Sequence, residues 1–259
     1  MSADREAPVI RLSDHAPPAF LIDQVTLTFT LDPAATRVRA RIGFRSNPER
    51  AADGPHDLRL DGRGLIPVSA MIDGVPVPEN ALSHDDEGLS VAAAHVPGRD
   101  FVWTCETVIA PESNTALEGL YMSNGMYCTQ CEAEGFRKIT YYPDRPDVMA
   151  VFTVRVEGDA PVLLSNGNLT GSGDGWAEWH DPHPKPSYLF ALVAGDLVAV
   201  EDRFRTISGR DVLLQIHNTT ISTAEGAAQA LRELRRGARV RIYFERNRAI
   251  GSRDFYIRR

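Results

Sequence analysis

The most informative stretch of the sequence runs from Asn114 to Asp147 and reads NTALEGLYMSNGMYCTQCEAEGFRKITYYPDRPD. It is rich in glutamate, cysteine and aromatic residues, and it has neither a clean helical nor a clean strand period. Long irregular segments between regular elements often carry function. Gln130 and Glu132 flank Cys131, and Glu134 follows two residues on. Carboxylates that alternate beside apolar neighbours predict a site for a cation, either a metal ion or an ammonium group.

The segments on either side of this stretch favour β-strands. They alternate apolar and polar residues or form short apolar runs, and turn signals such as Asp73-Gly74 and Asn166-Gly167 separate them. The predicted strands are Phe20–Leu31, Val38–Phe44, Leu58–Leu60, Val68–Ile72, Val75–Val77, Leu89–Ala93, Phe101–Ile109, Val148–Val156, Val162–Ser165, Trp176–His180 and Tyr188–Ala194. Proline fixes its own φ, so Asp181–Pro186 (DPHPKP) predicts a stiff extended connector. We therefore expect a mainly β fold, a sheet or a sandwich.

The character of the chain changes towards its end. Phe204–Thr206 and Val212–His217 predict one more hairpin, and Ser222–Glu225 matches a capping box that opens a helix over Ala227–Arg236. We interpret Ala238–Arg259 as a basic, pattern-poor tail.

Several blocks resemble the N-terminal domain of the zinc aminopeptidases of the aminopeptidase N family, bacterial type. The matching blocks are Asn114–Tyr121, Cys128–Arg137, Ile139–Tyr142, Asp144–Asp147, Leu163–Asn168, Asp181–Pro182, Pro184–Pro186 and Tyr188–Asp196. The resemblance covers roughly residues 15 to 235 and weakens afterwards.

The resemblance implies a large twisted antiparallel or mixed β-sheet domain, sandwich- or saddle-like. The first hairpin and helix of an incomplete thermolysin-like domain follow it. We expect a disordered arm over residues 1–14, the β domain over 15–205, the start of the catalytic domain over 206–237 and a divergent Arg-rich tail over 238–259.

The family implies one zinc ion in the full-length protein, held by a His-Glu-x-x-His helix. No two of the seven histidines here are four residues apart, and Asp181-Pro182 between His180 and His183 forbids an interior helix. We therefore expect no metal ligands in this chain and no peptide hydrolysis by it alone. One hypothesis is that the chain is a truncated or frame-shifted product. The alternative is a stand-alone, non-catalytic β domain that binds peptide N-termini or a partner protein.

The resemblance also implies the site residues. The glutamate at the position of Glu132 binds the α-amine of the substrate, and the glutamine at the position of Gln130 lines the pocket for the first side chain. The alternative for Glu132 is a structural ion pair with Arg137 or Arg145. Glu118 and Glu134 are expected to be structural. The aromatic residues are expected to form core and pocket wall: Tyr121, Phe136, Tyr141 and Tyr142.

Three cysteines, Cys105, Cys128 and Cys131, do not make a disulfide framework. The spacing of Cys128 and Cys131 lacks the second pair that a zinc ribbon needs. We predict reduced, mostly buried thiols, with a regulatory disulfide as the alternative. The N-terminus lacks a signal-peptide pattern, and no apolar run reaches membrane-spanning length, so we predict no membrane partner and a cytoplasmic protein.

Charge indicates the class of partner. The net charge is −7, although ten arginines against three acidic residues make the segment from Leu231 onward basic. A charge run is more often a solvated face than a nucleic-acid site, and no recognised binding module surrounds it. We therefore expect no nucleic acid as a partner; the family resemblance implies peptide N-termini and the missing catalytic domain as partners.

Overall fold

The computed structural model describes residues 15–197 and the backbone of four later strands. The chain forms two compact units, Met1–Gly195 and Asp196–Arg259, which are described separately. The predicted mainly β fold is confirmed, because the regular structure of the described residues consists of strands and short 3₁₀ helices. None of the helices in the described ranges is long and apolar enough to cross a membrane. The domain boundaries expected from the sequence stay predictions.

The strands of the first unit, in chain order, are β1 (Phe20–Thr30), β2 (Thr36–Ser46), β3 (Leu58–Asp61), β4 (Ile66–Ile72), β5 (Val75–Pro76), β6 (Leu82–Asp85), β7 (Gly88–Val91), β8 (Phe101–Ile109), β9 (Gly119–Ser123), β10 (Met126–Gln130), β11 (Ala150–Glu157), β12 (Val162–Ser165), β13 (Asn168–Gly173), β14 (Trp176–Lys185) and β15 (Leu192–Gly195). The 3₁₀ helices are Pro48–Asp53, Glu79–Ala81, Ala93–His95, Pro111–Ser113, Phe136–Lys138 and Ser187–Leu189.

Eight of these strands form one large mixed sheet in the order β13-β14-β11-β1-β2-β8-β4-β5. The β1–β11 pair is parallel, and the other neighbours are antiparallel. Two smaller sheets have the orders β12-β15-β10-β9 and β3-β7-β6. The large sheet supplies many of the buried core residues, and the four-stranded sheet contains the β9–β10 part of the Asn114–Asp147 stretch.

A bulge in β1 aligns its apolar residues with the core. The pairing of β1 with β2 shifts register between Ile22 and Gln24, so two exposed residues follow one another there. Because a bulge changes the phase of the alternation, Ile22 and Val25 are both buried despite their odd spacing. On β2 the alternation is regular, and Val38, Ala40 and Ile42 are buried while the intervening arginines are exposed, as predicted.

The central stretch contains a hairpin that the sequence analysis missed. β9 and β10 pair over five registers, from Met126–Ser123 to Gln130–Gly119. Asn124 and Gly125 join them with φ values of 50° and 77°. Two consecutive positive φ values are those of a type I′ turn, and Asn-Gly is its preferred sequence. The absence of a regular period inferred for Asn114–Asp147 is therefore wrong for this part.

Two sequence assignments near β14 and β15 also differ from the structure. Asp181–Lys185 is not a connector but the end of β14, because Asp181 and Lys185 pair with Phe152 and Ala150 across a register shift. The residues between them, Pro182 included, have no partner in that register, so the missing proline N–H leaves no gap in the ladder. Tyr188–Ala194 is not one strand, since a 3₁₀ turn precedes β15.

The second unit has two hairpins, formed by β16 (Ala199–Arg205) with β17 (Asp211–His217) and by β18 (Arg239–Arg246) with β19 (Ala249–Tyr256). The first hairpin confirms the prediction from Phe204–Thr206 and Val212–His217. The second shows that the tail is not pattern-poor, since Val240 and Ile242 alternate with arginines in its sequence. The predicted helix over 227–236 and the arm over 1–14 lie outside the described residues.

The turn at Gly125 gives a test of the hairpin. Gly125→Ala places a side chain at φ 77° without any clash. Any loss of stability therefore reports the free-energy cost of the left-handed backbone conformation alone. We expect a loss of about 1 kcal/mol in the free energy of unfolding, measured by urea denaturation. Gly98→Ala is the matched control, because its new Cβ also meets nothing and its φ is not in the left-handed region. Equal effects of the two substitutions would contradict the turn geometry.

Candidate functional site

The two residues predicted to bind substrate lie two positions apart, Gln130 at the end of β10 and Glu132 in the loop that follows. β10 ends at Gln130, and the loop of residues 131–135 leads to the 3₁₀ helix Phe136–Lys138. Gln130 and Glu132 are both exposed, and the side-chain amide of Gln130 donates a hydrogen bond to the backbone oxygen of Glu132 at 3.1 Å. The peptide bond between Glu132 and Ala133 is cis. The Gln130 side chain thus contacts the backbone of Glu132, and both residues are exposed.

An aromatic cluster holds the C-terminal end of the loop. Phe136 is fully buried, and its ring centroid lies 5.0 Å from Tyr142, 5.3 Å from Phe190 and 6.0 Å from Phe152 of β11. Edge-to-face contacts at these distances combine large apolar burial with a preferred orientation. The loop is thus attached directly to the large sheet. Tyr141 and Tyr142 are buried, as expected for core residues.

The hydroxyl of Thr129 holds the N-terminal end of the loop. β10 pairs with β15 through the single register Tyr127–Ala194. Beyond it, the Thr129 hydroxyl donates to the carbonyl oxygen of Leu192 at 3.0 Å and accepts from its N–H at 2.8 Å. This side chain takes the place of a ladder pair one residue before Gln130. Thr129 was not among the residues predicted from the sequence, although the Asn124-Gly125 turn signal would have placed it on a strand.

Close backbone approach inside the loop requires glycine at position 135. The Gly135 N–H donates to the carbonyl oxygen of Cys131 at 2.9 Å, which closes the loop. A Cβ at Gly135 would lie 2.3 Å from the Gln130 carbonyl oxygen and 3.0 Å from Gly119 N. No side chain fits there, so glycine allows the loop to fold back tightly against the hairpin.

The alternative role for Glu132, an ion pair with Arg137 or Arg145, is not found. Arg137 pairs with Asp144 at 3.1 Å and Glu134 at 3.4 Å, and Arg145 pairs with Asp147 at 2.6 Å. The Glu132 carboxylate has no ion-pair partner among the described residues.

Other cations near the loop are already paired. Lys138 lies 2.6 Å from Glu118, and this hydrogen bond lowers the pKa of the Glu118 carboxyl. Arg63 lies 2.5 Å from Glu87, whose hydrogen bond raises the pKa of the Arg63 guanidinium, with smaller contributions from Glu134 and Glu118. The cations Lys138 and Arg63 thus have acidic partners other than Glu132.

A cleft of about 280 Å³ in the first unit does not coincide with the exposed surface of Gln130 and Glu132. Its lining includes Arg63, Asn114, Leu120 and Lys138, and neither Gln130 nor Glu132 belongs to it. The cleft therefore gives no independent support for the predicted substrate site.

The cysteines are free thiols, as predicted. Cys105 and Cys131 are buried and Cys128 is half-buried, and burial raises the pKa of all three. Cys128 lies in an antiparallel hairpin and not at a helix N-terminus, which removes the usual setting of a redox motif. No three His, Cys, Asp or Glu side chains come together as metal ligands in the described part of the chain.

Comparison with known proteins gives a consistent result. The family model for the Peptidase M1 N-terminal domain matches residues 55–189. Aminopeptidase N of Caulobacter vibrioides is 49% identical over 234 residues, which are 88% of this chain and 26% of that protein. Aminopeptidase N of Escherichia coli is 44% identical over 212 residues, 79% of this chain and 23% of that protein. The chain thus spans about a quarter of the length of these relatives.

Solved structures show the same fold. Aminopeptidase A of Legionella pneumophila, in complex with aspartic acid, superposes with a TM-score of 0.71 at 31% identity, covering 80% of this chain and 25% of that chain. An M1 zinc metallopeptidase of Deinococcus radiodurans gives a TM-score of 0.62 at 19% identity, covering 84% and 53%. The second likeness concerns the fold alone.

Thiol reactivity tests the packing beneath the loop. With a thiol-specific chromogenic reagent at pH 8, we expect Cys128 alone to react in the native chain, and Cys105 and Cys131 only after denaturation. The rate at Cys128 should rise with pH, because burial raises its pKa and the thiolate is the reacting form. Cys128→Ser should abolish the native-state reaction. Two thiols reacting at similar rates in the native chain would contradict this packing.

Proposed function

Because the chain belongs to the M1 peptidase family and carries its N-terminal domain, we propose that it is the substrate-recognition part of a zinc aminopeptidase, with Glu132 binding the free α-amine of a peptide. One observation carries the proposal. Glu132 lies on a loop that is fixed at both ends, yet its carboxylate is exposed and has no ion-pair partner among the described residues. A fixed, available carboxylate suits recognition of an ammonium group.

The chemistry of that recognition follows from charge-assisted hydrogen bonding. A carboxylate accepts one or two N–H hydrogen bonds from an ammonium group, and each of these charge-assisted bonds is stronger than a bond between neutral groups. A blocked or internal amine carries no positive charge and loses this interaction, so the enzyme would act only at N-termini. Gln130, which lies beside Glu132, would contact the first side chain of the peptide.

The zinc ion is proposed to be bound outside these 259 residues. The sequence has no His-Glu-x-x-His pattern, and the described residues supply no group of three ligands. In such enzymes the metal activates a water molecule for attack on the peptide bond. The contribution of this chain is to bind and orient the N-terminus of the substrate, and its partner is a zinc-bearing catalytic region.

The proposal is tested in a chimera in which the matched residues of this chain replace their counterparts in the Caulobacter aminopeptidase N. The 259-residue chain alone should show no turnover of an aminoacyl anilide, and the chimera should restore it. Glu132→Gln in the chimera should lower kcat/KM by about tenfold or more, because the substrate ammonium loses its charged partner.

Glu79→Gln is the control for this substitution, since Glu79 is an exposed glutamate on a 3₁₀ helix far along the chain from the loop. It should leave kcat/KM within about twofold. If Glu132→Gln left kcat/KM unchanged, Glu132 would not be a substrate-binding residue. An inactive chimera, together with binding of peptide N-termini by the isolated chain, would favour the stand-alone binding module instead.

A further inference from the structure

A buried charged network lies directly behind the loop that carries Glu132. Arg137 is 8% exposed, although arginine is usually a surface residue. Its backbone N–H and its Nε both donate to one carboxylate oxygen of Asp144, at 3.2 and 3.1 Å. A terminal nitrogen of the same guanidinium donates to the Asp144 backbone oxygen at 3.2 Å. One side chain thus ties two points of the chain seven residues apart.

Asp144 has partners on every side. Its second carboxylate oxygen accepts a hydrogen bond from the hydroxyl of Ser187 at 2.5 Å, and Ser187 is 1% exposed. Its backbone N–H donates to the carboxylate of Asp61 at 2.8 Å. Asp144 therefore joins the 3₁₀ helix Phe136–Lys138, which directly follows the loop, to the 3₁₀ turn before β15 and to the end of β3.

Arg137 also reaches outward. While its Nε faces Asp144 in the interior, a terminal nitrogen lies 3.4 Å from the carboxylate of Glu134, which is exposed. Glu134 is two residues from Glu132 in the same five-residue loop. The guanidinium is rigid and planar, so a displacement at its buried end is transmitted to its exposed end.

The energetics favour a role in geometry over one in stability. Burying two charges costs desolvation free energy that their attraction only partly offsets, and apolar replacements often serve stability as well. Directional hydrogen bonds, by contrast, fix one orientation of the groups they join. A loop that must present one carboxylate to a ligand needs that orientation.

We propose that Arg137, Asp144 and Ser187 are positioning residues that hold the 131–135 loop so that Glu132 meets the substrate amine. The inference rests on the function proposed above and extends it to side chains that touch no substrate. They act on affinity for the amine through Glu132, not on the chemical step.

A double-mutant cycle in the chimera tests this role. Ser187→Ala removes one hydroxyl from the network and leaves the Arg137–Asp144 pair in place. Comparing the effect of Ser187→Ala with and without Glu132→Gln shows whether Ser187 acts through Glu132. We expect Ser187→Ala to raise KM about fivefold with kcat within about twofold, and to have less than about a twofold effect in the Glu132→Gln background.

Ser165→Ala is the matched control. Its hydroxyl also donates one hydrogen bond, at 2.8 Å to the Ala191 carbonyl, but it has no link to Asp144. It should leave KM unchanged in both backgrounds. Thermal unfolding of the intact 259-residue variants shows whether each still folds. If Ser187→Ala does not fold, Glu134→Gln enters the same cycle, since Glu134 is exposed and forms the outer end of the network.

The outcomes separate the two proposals. One outcome is that Glu132→Gln lowers kcat/KM tenfold but Ser187→Ala changes KM equally in both backgrounds, or in neither. This outcome overturns the positioning role and leaves the proposed function intact. Glu132→Gln without effect overturns both. Loss of the Ser187→Ala effect in the Glu132→Gln background supports both.

Discussion

The packing of Phe136 against Phe152, Phe190 and Tyr142 is the contact on which the rest of the site depends. Phe152 belongs to the large mixed sheet, Phe190 lies just before β15, and Phe136 and Tyr142 belong to the central stretch. Three parts of the chain thus meet in one apolar cluster. Together with the hydrogen bonds between Arg137 and Asp144, this cluster fixes the C-terminal end of the loop of residues 131–135, and the β9–β10 hairpin fixes its beginning.

Around this cluster, polar groups are arranged by depth. In the interior, Arg137 donates hydrogen bonds to Asp144, and the opposite charges of the two side chains balance each other. At the rim, Glu118 and Lys138 form an ordinary half-exposed pair. At the exposed surface, Glu132 has no ion-pair partner among the described residues. The acidic groups of the neighbouring pairs are thus balanced by cations, whereas Glu132 has no such partner among the described residues.

The sequence allowed the fold class and most strand positions to be predicted, because the alternation in strands such as β8 and β11 is strict. It did not reveal the β9–β10 hairpin, where glycine, cysteine and threonine blur the period, nor the pairing within β14, where prolines suggested a connector. The pattern around Cys131 indicates a cation site near Gln130 and Glu132, but their separate roles in binding an α-amine and a first side chain are implied only by the family resemblance and stay predictions. The contacts among Arg137, Asp144 and Ser187 could not be read from sequence, since 43 residues separate Asp144 from Ser187 and nothing local marks them as partners.

The parallel pairing of β1 with β11 has a consequence for how the chain acquires its shape. Residues 24–30 pair with residues 151–157, so this pairing cannot form until the intervening polypeptide has been synthesised. Until then, one side of β1 exposes unpaired amides and carbonyls to any neighbouring nascent chain. Such distant partners slow closure, since loop entropy must be overcome first. The biogenesis of this domain is therefore expected to be sluggish and to benefit from chaperones during translation.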